Sequence, residues 1–320
     1  MPEIHRRQFV GSCAAAALGA AAASAEDFAL HKGLTVPSSP GAETLFSVML
    51  WTGEPKLSFE RRIAKVVEAG YGAVELVDEY NDWTAADFAK ARQQLHNLGV
   101  VVDACSGIDA SLCDPLQRDA LLRQIRAKLS VLAELECTRL ILLTGDRVPG
   151  LTSEQMHANC VEALKRVAEI TDSQKVEILL ENIDPEENPK YFLTSVAEGF
   201  QVVREVNHPR VKFLYDFYHE QVSEGNLIAK LEKNIGLVGL VHIADVPGRH
   251  EPGTGEINYA NIFRKLGQLR YSRYVAMEFI PTGDVVAALR TAREFAQKYL
   301  AEGRALAAMD MAPGEKYAAS

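Results

Sequence analysis

The chain has no Gly-x-Gly-x-x-Gly turn and no Gly-x-x-x-x-Gly-Lys loop, the signatures a doubly wound nucleotide-binding sheet would often carry. Its five cysteines include no Cys-x-x-Cys pair. Cys105, Cys113, Cys137 and Cys160 therefore read as buried free thiols, with a disulfide left open if the protein is exported. Basic residues are in short supply: 34 lysines and arginines against 43 acids give a net charge of −9. Such a surface disfavours nucleic acid and anionic membrane, which leaves a small molecule as the expected partner. No apolar run has the length of a membrane span. The nearest, "FVGSCAAAALGAAAA", is short and alanine-rich, so no stable span is expected in the mature form.

That run has another use. It follows Arg6 and Arg7 and precedes Ala23-Ser24-Ala25, giving the charged start, apolar middle and small-residue cleavage site of an export signal over residues 1–25. The paired arginines in "HRRQFVG" point to the twin-arginine type, which carries folded proteins and predicts a periplasmic or extracellular location. A general secretory signal or an uncleaved anchor is the alternative. Cys13 precedes most of the apolar run instead of ending it, which argues against a lipoprotein box.

What is present is a repeating pattern. From residue 46, short apolar runs recur: "FSVMLW", "GAVELV", "VVVDAC", "RLILLT", "VEILLE", "VKFLYD", "LVGLVHI" and "YVAMEFI". Continuous apolar character suits parallel strands covered on both faces. Stretches at helical spacing lie between them, as in residues 58–70, 84–99, 153–170 and 284–300. Thr84 and Asp87 have the spacing of a capping box, and Gly70 and Gly99 stand where helices should stop. Eight strand–helix units over about 250 residues predict an α/β fold, a single-domain (β/α)8 TIM barrel, with a doubly wound sheet as the alternative. The barrel is expected over residues 45–303, after an extended leader at 26–44 and before a loosely ordered tail at 304–320. The oligomer stays open, a homodimer or homotetramer included.

A TIM barrel works at the C-terminal mouths of its strands. Runs five to eight place Glu181, Asp216, His242 and Glu278 there, on neighbouring strands roughly 4.8 Å apart. Singly, each has a structural explanation: an acid paired with an arginine, or a histidine satisfied by backbone. Together, three carboxylates would repel one another unless a cation sat among them. Three oxygens and an imidazole suit one divalent ion such as Mn2+, Mg2+ or Co2+. Glu75, near the end of "GAVELV", is a further acid for the mouth, either touching substrate or paired inside the barrel. Trp51 is a wall against substrate or simply packing.

The segments "ENIDPEENPKYFL", "YDFYHEQVSEGNL" and above all "HIADVPGRHEPGTGEINY" resemble the hydroxypyruvate isomerase family, within the xylose isomerase-like TIM-barrel superfamily. The resemblance runs from about residue 46 to residue 300. It implies that Glu181, Asp216, His242 and Glu278 hold a metal, and that His219 of the D-x-x-H pattern and Arg249 hold substrate. It further implies a metal-dependent isomerase of a small hydroxy-carbonyl compound, hydroxypyruvate to tartronate semialdehyde, acting through a cis-enediolate with Glu181 and Glu278 as the acid/base pair. Gly253 and Gly255 read as a tight structural turn, because the lysine and following helix of a phosphate loop are missing. An export signal is not expected of an enzyme of a cytosolic metabolite. It favours a ketose 3-epimerase or another sugar isomerase of the same superfamily. Two further readings are a non-catalytic sugar-binding barrel, opposed by intact Glu181 and Glu278, and an endonuclease IV-like nuclease, opposed by the missing mouth histidines and the acidic surface.

Overall fold

The computed structural model describes residues 43–311. Within them eight strands close into an all-parallel barrel in sequence order. They are β1 (Leu45–Met49), β2 (Ala73–Leu76), β3 (Val101–Cys105), β4 (Arg139–Leu143), β5 (Glu177–Glu181), β6 (Val211–Asp216), β7 (Val238–Ile243) and β8 (Tyr274–Met277). Each falls within a residue of the apolar run that predicts it, except that β1 stops two residues short, at Met49, and β8 stops before Glu278. The Glu278 amide still donates to the Ile243 carbonyl (3.1 Å), so that residue stays on the rim.

Helices wrap the barrel: α1 (Phe59–Glu68), α2 (Ala85–Leu98), α3 (Arg118–Glu134), α4 (Ser153–Thr171), α5 (Val196–Val206), α6 (Phe217–Ser223), α7 (Leu227–Asn234), α8 (Tyr259–Gln268) and α9 (Val285–Met311). Thr84 caps α2 with the reciprocal bonds its spacing predicts: its hydroxyl accepts from the Asp87 amide, and the Asp87 carboxylate accepts from the Thr84 amide. The main core lies between strands and helices, where Ile63, Leu121, Leu164, Phe200 and Phe263 are fully buried. A second apolar layer fills the barrel itself through Met49, Ile141, Leu179, Leu214 and Leu240.

The end of the barrel differs from expectation. Helix α9 runs through Gly303 to Met311, so residues 304–311, assigned above to the tail, are helical. Gly303 does not stop the helix because it is a contact point: a Cβ there would lie 1.9 Å from the Arg264 carbonyl oxygen of α8. Gly267 of α8 meets the Leu300 carbonyl in the same crossing, so the two helices pack backbone against backbone. The export signal, Cys13, most of the leader and residues 312–320 lie outside the described residues. Among the described residues no helix is long and apolar enough to cross a membrane. Cys105, Cys113, Cys137 and Cys160 are free and buried.

Candidate active site

Each cluster residue is delivered by a strand end. Glu181 is the last residue of β5 and Asp216 the last of β6, where it also caps α6. One Asp216 oxygen accepts the amides of Tyr218 (2.7 Å) and His219 (3.4 Å), which fixes the carboxylate and puts His219 on the first turn of α6. The other oxygen, Oδ2, is buried without a hydrogen bond, 3.6 Å from Arg249 Nη2 and 3.5 Å from His219 Nε2. His242 precedes the last residue of β7 and pairs with Ala276 and Asp216 in the flanking strands. All four residues are buried, and one ligand atom from each of Glu181, Asp216, His242 and Glu278 lies within 4.8 Å of the others.

The electrostatics follow from that crowding. Burial pushes the Glu181 carboxyl up to about 7; His242 opposes the rise, while Glu278 and Asp216 add to it. Burial works against a charged His242, but the Glu75 and Glu278 carboxylates hold its proton well above the usual histidine range. His219 is raised too: burial opposes, and Asp216 and Asp184 prevail. Three carboxylates and one imidazole, with Asp216 Oδ2 making no hydrogen bond, fit a hard divalent cation, which would relieve this repulsion.

Arg249 lies at the cluster's edge with positive φ (57°). It pairs with Glu278 (2.8 Å) and Glu187 (2.6 Å), and its guanidinium lies over the rings of Tyr218 (4.9 Å) and Trp51 (5.6 Å). Its loop is built around buried Asp245, which accepts the amides of Gly253 (2.8 Å), Ile257 (3.0 Å) and Val246 (3.0 Å). Gly255 is required there, because a Cβ would lie 2.0 Å from the Val246 carbonyl oxygen. The two glycines make a tight turn around a carboxylate, although a helix, α8, does follow from Tyr259, contrary to expectation.

The structure therefore brings together five of the expected residues and His219, whose Nδ1 is 2.7 Å from Asp184. It treats Glu75 differently. That side chain is fully buried, with its carboxylate 2.9 Å from His242 Nε2, an acid paired inside the barrel. It lies one residue before the end of β2, beside Ser47. Trp51 is not merely a wall, since its indole N–H donates to Glu278 (3.1 Å). Sequence reasoning passed over Asp184, Glu187, Tyr218 and Asp245. All four sit in the quoted motifs, yet nothing in their spacing sets them apart from surface acids and aromatics.

Comparison with known proteins shows the family and the fold. A family model described as a xylose isomerase-like TIM barrel matches residues 63–299. The hydroxypyruvate isomerase of Escherichia coli (strain K12) is 29% identical over 238 residues, covering 72% of this chain and 92% of that one. A 2-oxo-tetronate isomerase of Haemophilus influenzae is 30% identical over 250 residues, covering 76% of this chain and 95% of its own. Among solved structures, an L-ribulose 3-epimerase superposes with a TM-score of 0.71 at 20% identity, over 86% of this chain and 99% of that one, which shows a shared fold.

Proposed function

The chain belongs to the xylose isomerase-like TIM-barrel family, and from that premise we propose that it isomerises a small 2-oxo acid of the hydroxypyruvate kind. The observation that carries the reading is the convergence of Glu181, Asp216, His242 and Glu278 within 4.8 Å, with Arg249 against it. A divalent cation held by those four residues, Mn2+, Mg2+ or Co2+, would supply Lewis-acid stabilisation of the negative charge that develops on the substrate oxygens. The chain's own groups supply the rest. Arg249 offers a guanidinium to the substrate carboxylate, and its bond to Glu187 and its place over Tyr218 hold the fork in plane. His219, oriented by Asp184, stands beside it to hold a substrate oxygen.

Hydroxypyruvate becomes tartronate semialdehyde when one proton leaves C3, one arrives at C2, and the hydroxyl proton moves between the oxygens. No oxidant is needed. Glu181 at the end of β5 and Glu278 just after β8 are the two carboxylates suited to these transfers through a cis-enediolate. The test is isomerisation of hydroxypyruvate in D2O with Mn2+ or Mg2+ present, following deuterium at C2 of the product. Incorporation is expected. A filled metal site with no turnover and no exchange on any 2-oxo acid or ketose would sink the reading. The fold shared with L-ribulose 3-epimerase favours a second reading, epimerisation of a free ketose at C3, in which one carboxylate removes the proton and the other returns it on the opposite face. A substrate screen separates the two: a ketose with no carboxylate would then be preferred.

The same proposal places the enzyme outside the cytoplasm, by a twin-arginine-type signal resting on Arg6, Arg7 and Ala23-Ser24-Ala25. Changing both arginines to lysine should leave unprocessed precursor inside the cell. Undiminished export of that variant would instead favour the general secretory route.

A further inference from the structure

We propose that Glu75 is a positioning residue that holds His242 by its Nε2 nitrogen, so that Nδ1 is the nitrogen turned to the cation. The inference rests on the metal reading above and specifies how one ligand is presented. The two ring nitrogens of His242 face different surroundings. Nδ1 lies 2.7 Å from Glu278 and 3.7 Å from Glu181, on the side of the cluster. Nε2 lies 2.9 Å from the Glu75 carboxylate, which is no part of that cluster. With a cation at the cluster, Nδ1 is the nitrogen on its side and becomes the ligand, and Nε2 is left to donate to the Glu75 carboxylate outside it.

Glu75 is well placed for this. It is clamped in β2 between Met49 of β1 and Ala104 of β3, and it is fully buried. Its second oxygen lies 3.5 Å from the Ser47 hydroxyl, which also reaches Asp103 (3.3 Å). Strand β2 is three strands from β7 around the barrel, so the contact crosses the lumen and steadies the ring from the opposite wall. Outer carboxylates of this sort fix ring orientation and tautomer, and their loss typically costs about 10–100-fold in metal affinity.

The experiment is Mn2+ titration, followed by the paramagnetic resonance signal of the free ion, on the native protein, Glu75→Ala and Glu75→Gln. Glu75→Ala should bind about 10–100-fold more weakly, and Glu75→Gln, which keeps an oxygen for the Nε2 proton, should recover most of that loss. Nitrogen NMR of histidine-labelled native protein loaded with diamagnetic Mg2+ should show His242 protonated at Nε2. A merely structural acid would lower the melting temperature of Glu75→Ala without changing the affinity of the folded protein. Native affinity in Glu75→Ala, or a proton on Nδ1, overturns the proposal. If Glu75→Ala does not fold, the NMR of native protein still decides. Native protein that binds no divalent cation overturns the metal reading itself, and this proposal with it.

Discussion

Glu278→Gln is expected to lower turnover by about 10²–10⁴-fold while the protein stays folded, the usual cost of losing a general base. Three groups converge on this one carboxylate: the Trp51 indole (3.1 Å) and Arg249 Nη2 (2.8 Å), which donate to it, and His242 Nδ1 (2.7 Å). A glutamine keeps one oxygen for a donor or a metal but cannot take a proton, and its NH2 must turn away from at least one donor. Metal affinity should therefore weaken without vanishing, and turnover should fall much further than saturation with Mn2+ restores. Glu181→Gln should show a loss of similar size, since each carboxylate is assigned one half of the transfer. Deuterium exchange at C3 of hydroxypyruvate separates them. The variant that still exchanges C3 has kept the carboxylate that removes the proton. Near-native turnover in either variant, measured with the site loaded, would remove that residue from the chemistry.

Arg249→Ala is expected to cost roughly 10²-fold or more in kcat/KM on hydroxypyruvate, and less on a substrate without a carboxylate. Charge-assisted hydrogen bonds contribute about 1.5–3 kcal/mol each, and loss of a single one reaches that range. The guanidinium is buried, and the carboxylates of Glu278, Asp216 and Glu187 hold it charged at any accessible pH, against the opposing effect of burial. Removing it takes a buried positive charge away from three acids, and breaking a buried pair in this way typically costs about 3–5 kcal/mol. The melting temperature should therefore drop sharply without metal and recover in part when Mn2+ replaces the lost positive charge. Arg249→Lys keeps the charge but not the planar fork over Tyr218, so it should restore stability better than kcat/KM. Equal kcat/KM losses on substrates with and without a carboxylate would show that Arg249 reads some other feature of the substrate.

The barrel was legible because parallel strands covered on both faces leave a plain trace, short apolar runs separated by helical periodicity. Against that background a polar residue at the end of a run stands out, and Glu181, Asp216, His242 and Glu278 are such residues. Their order along the chain also gave their adjacency, because in a (β/α)8 barrel neighbouring strands in sequence are neighbours in space. The helix cap at Thr84 was readable for a like reason, since both partners lie within one turn. Contacts that cross the barrel or join two loops have no such trace. Glu187 meets Arg249 across 62 residues, and Trp51 meets Glu278 across 227. The role of Asp245 depends on how its loop curls, and Gly303 continues a helix only because α8 comes close enough to require a residue without a side chain. The sequence alone determined which residues stand at the barrel mouth. Closure of the barrel decided which nitrogen of His242 faces which acid, because that depends on Glu75 reaching it from the opposite wall, 167 residues away in the chain.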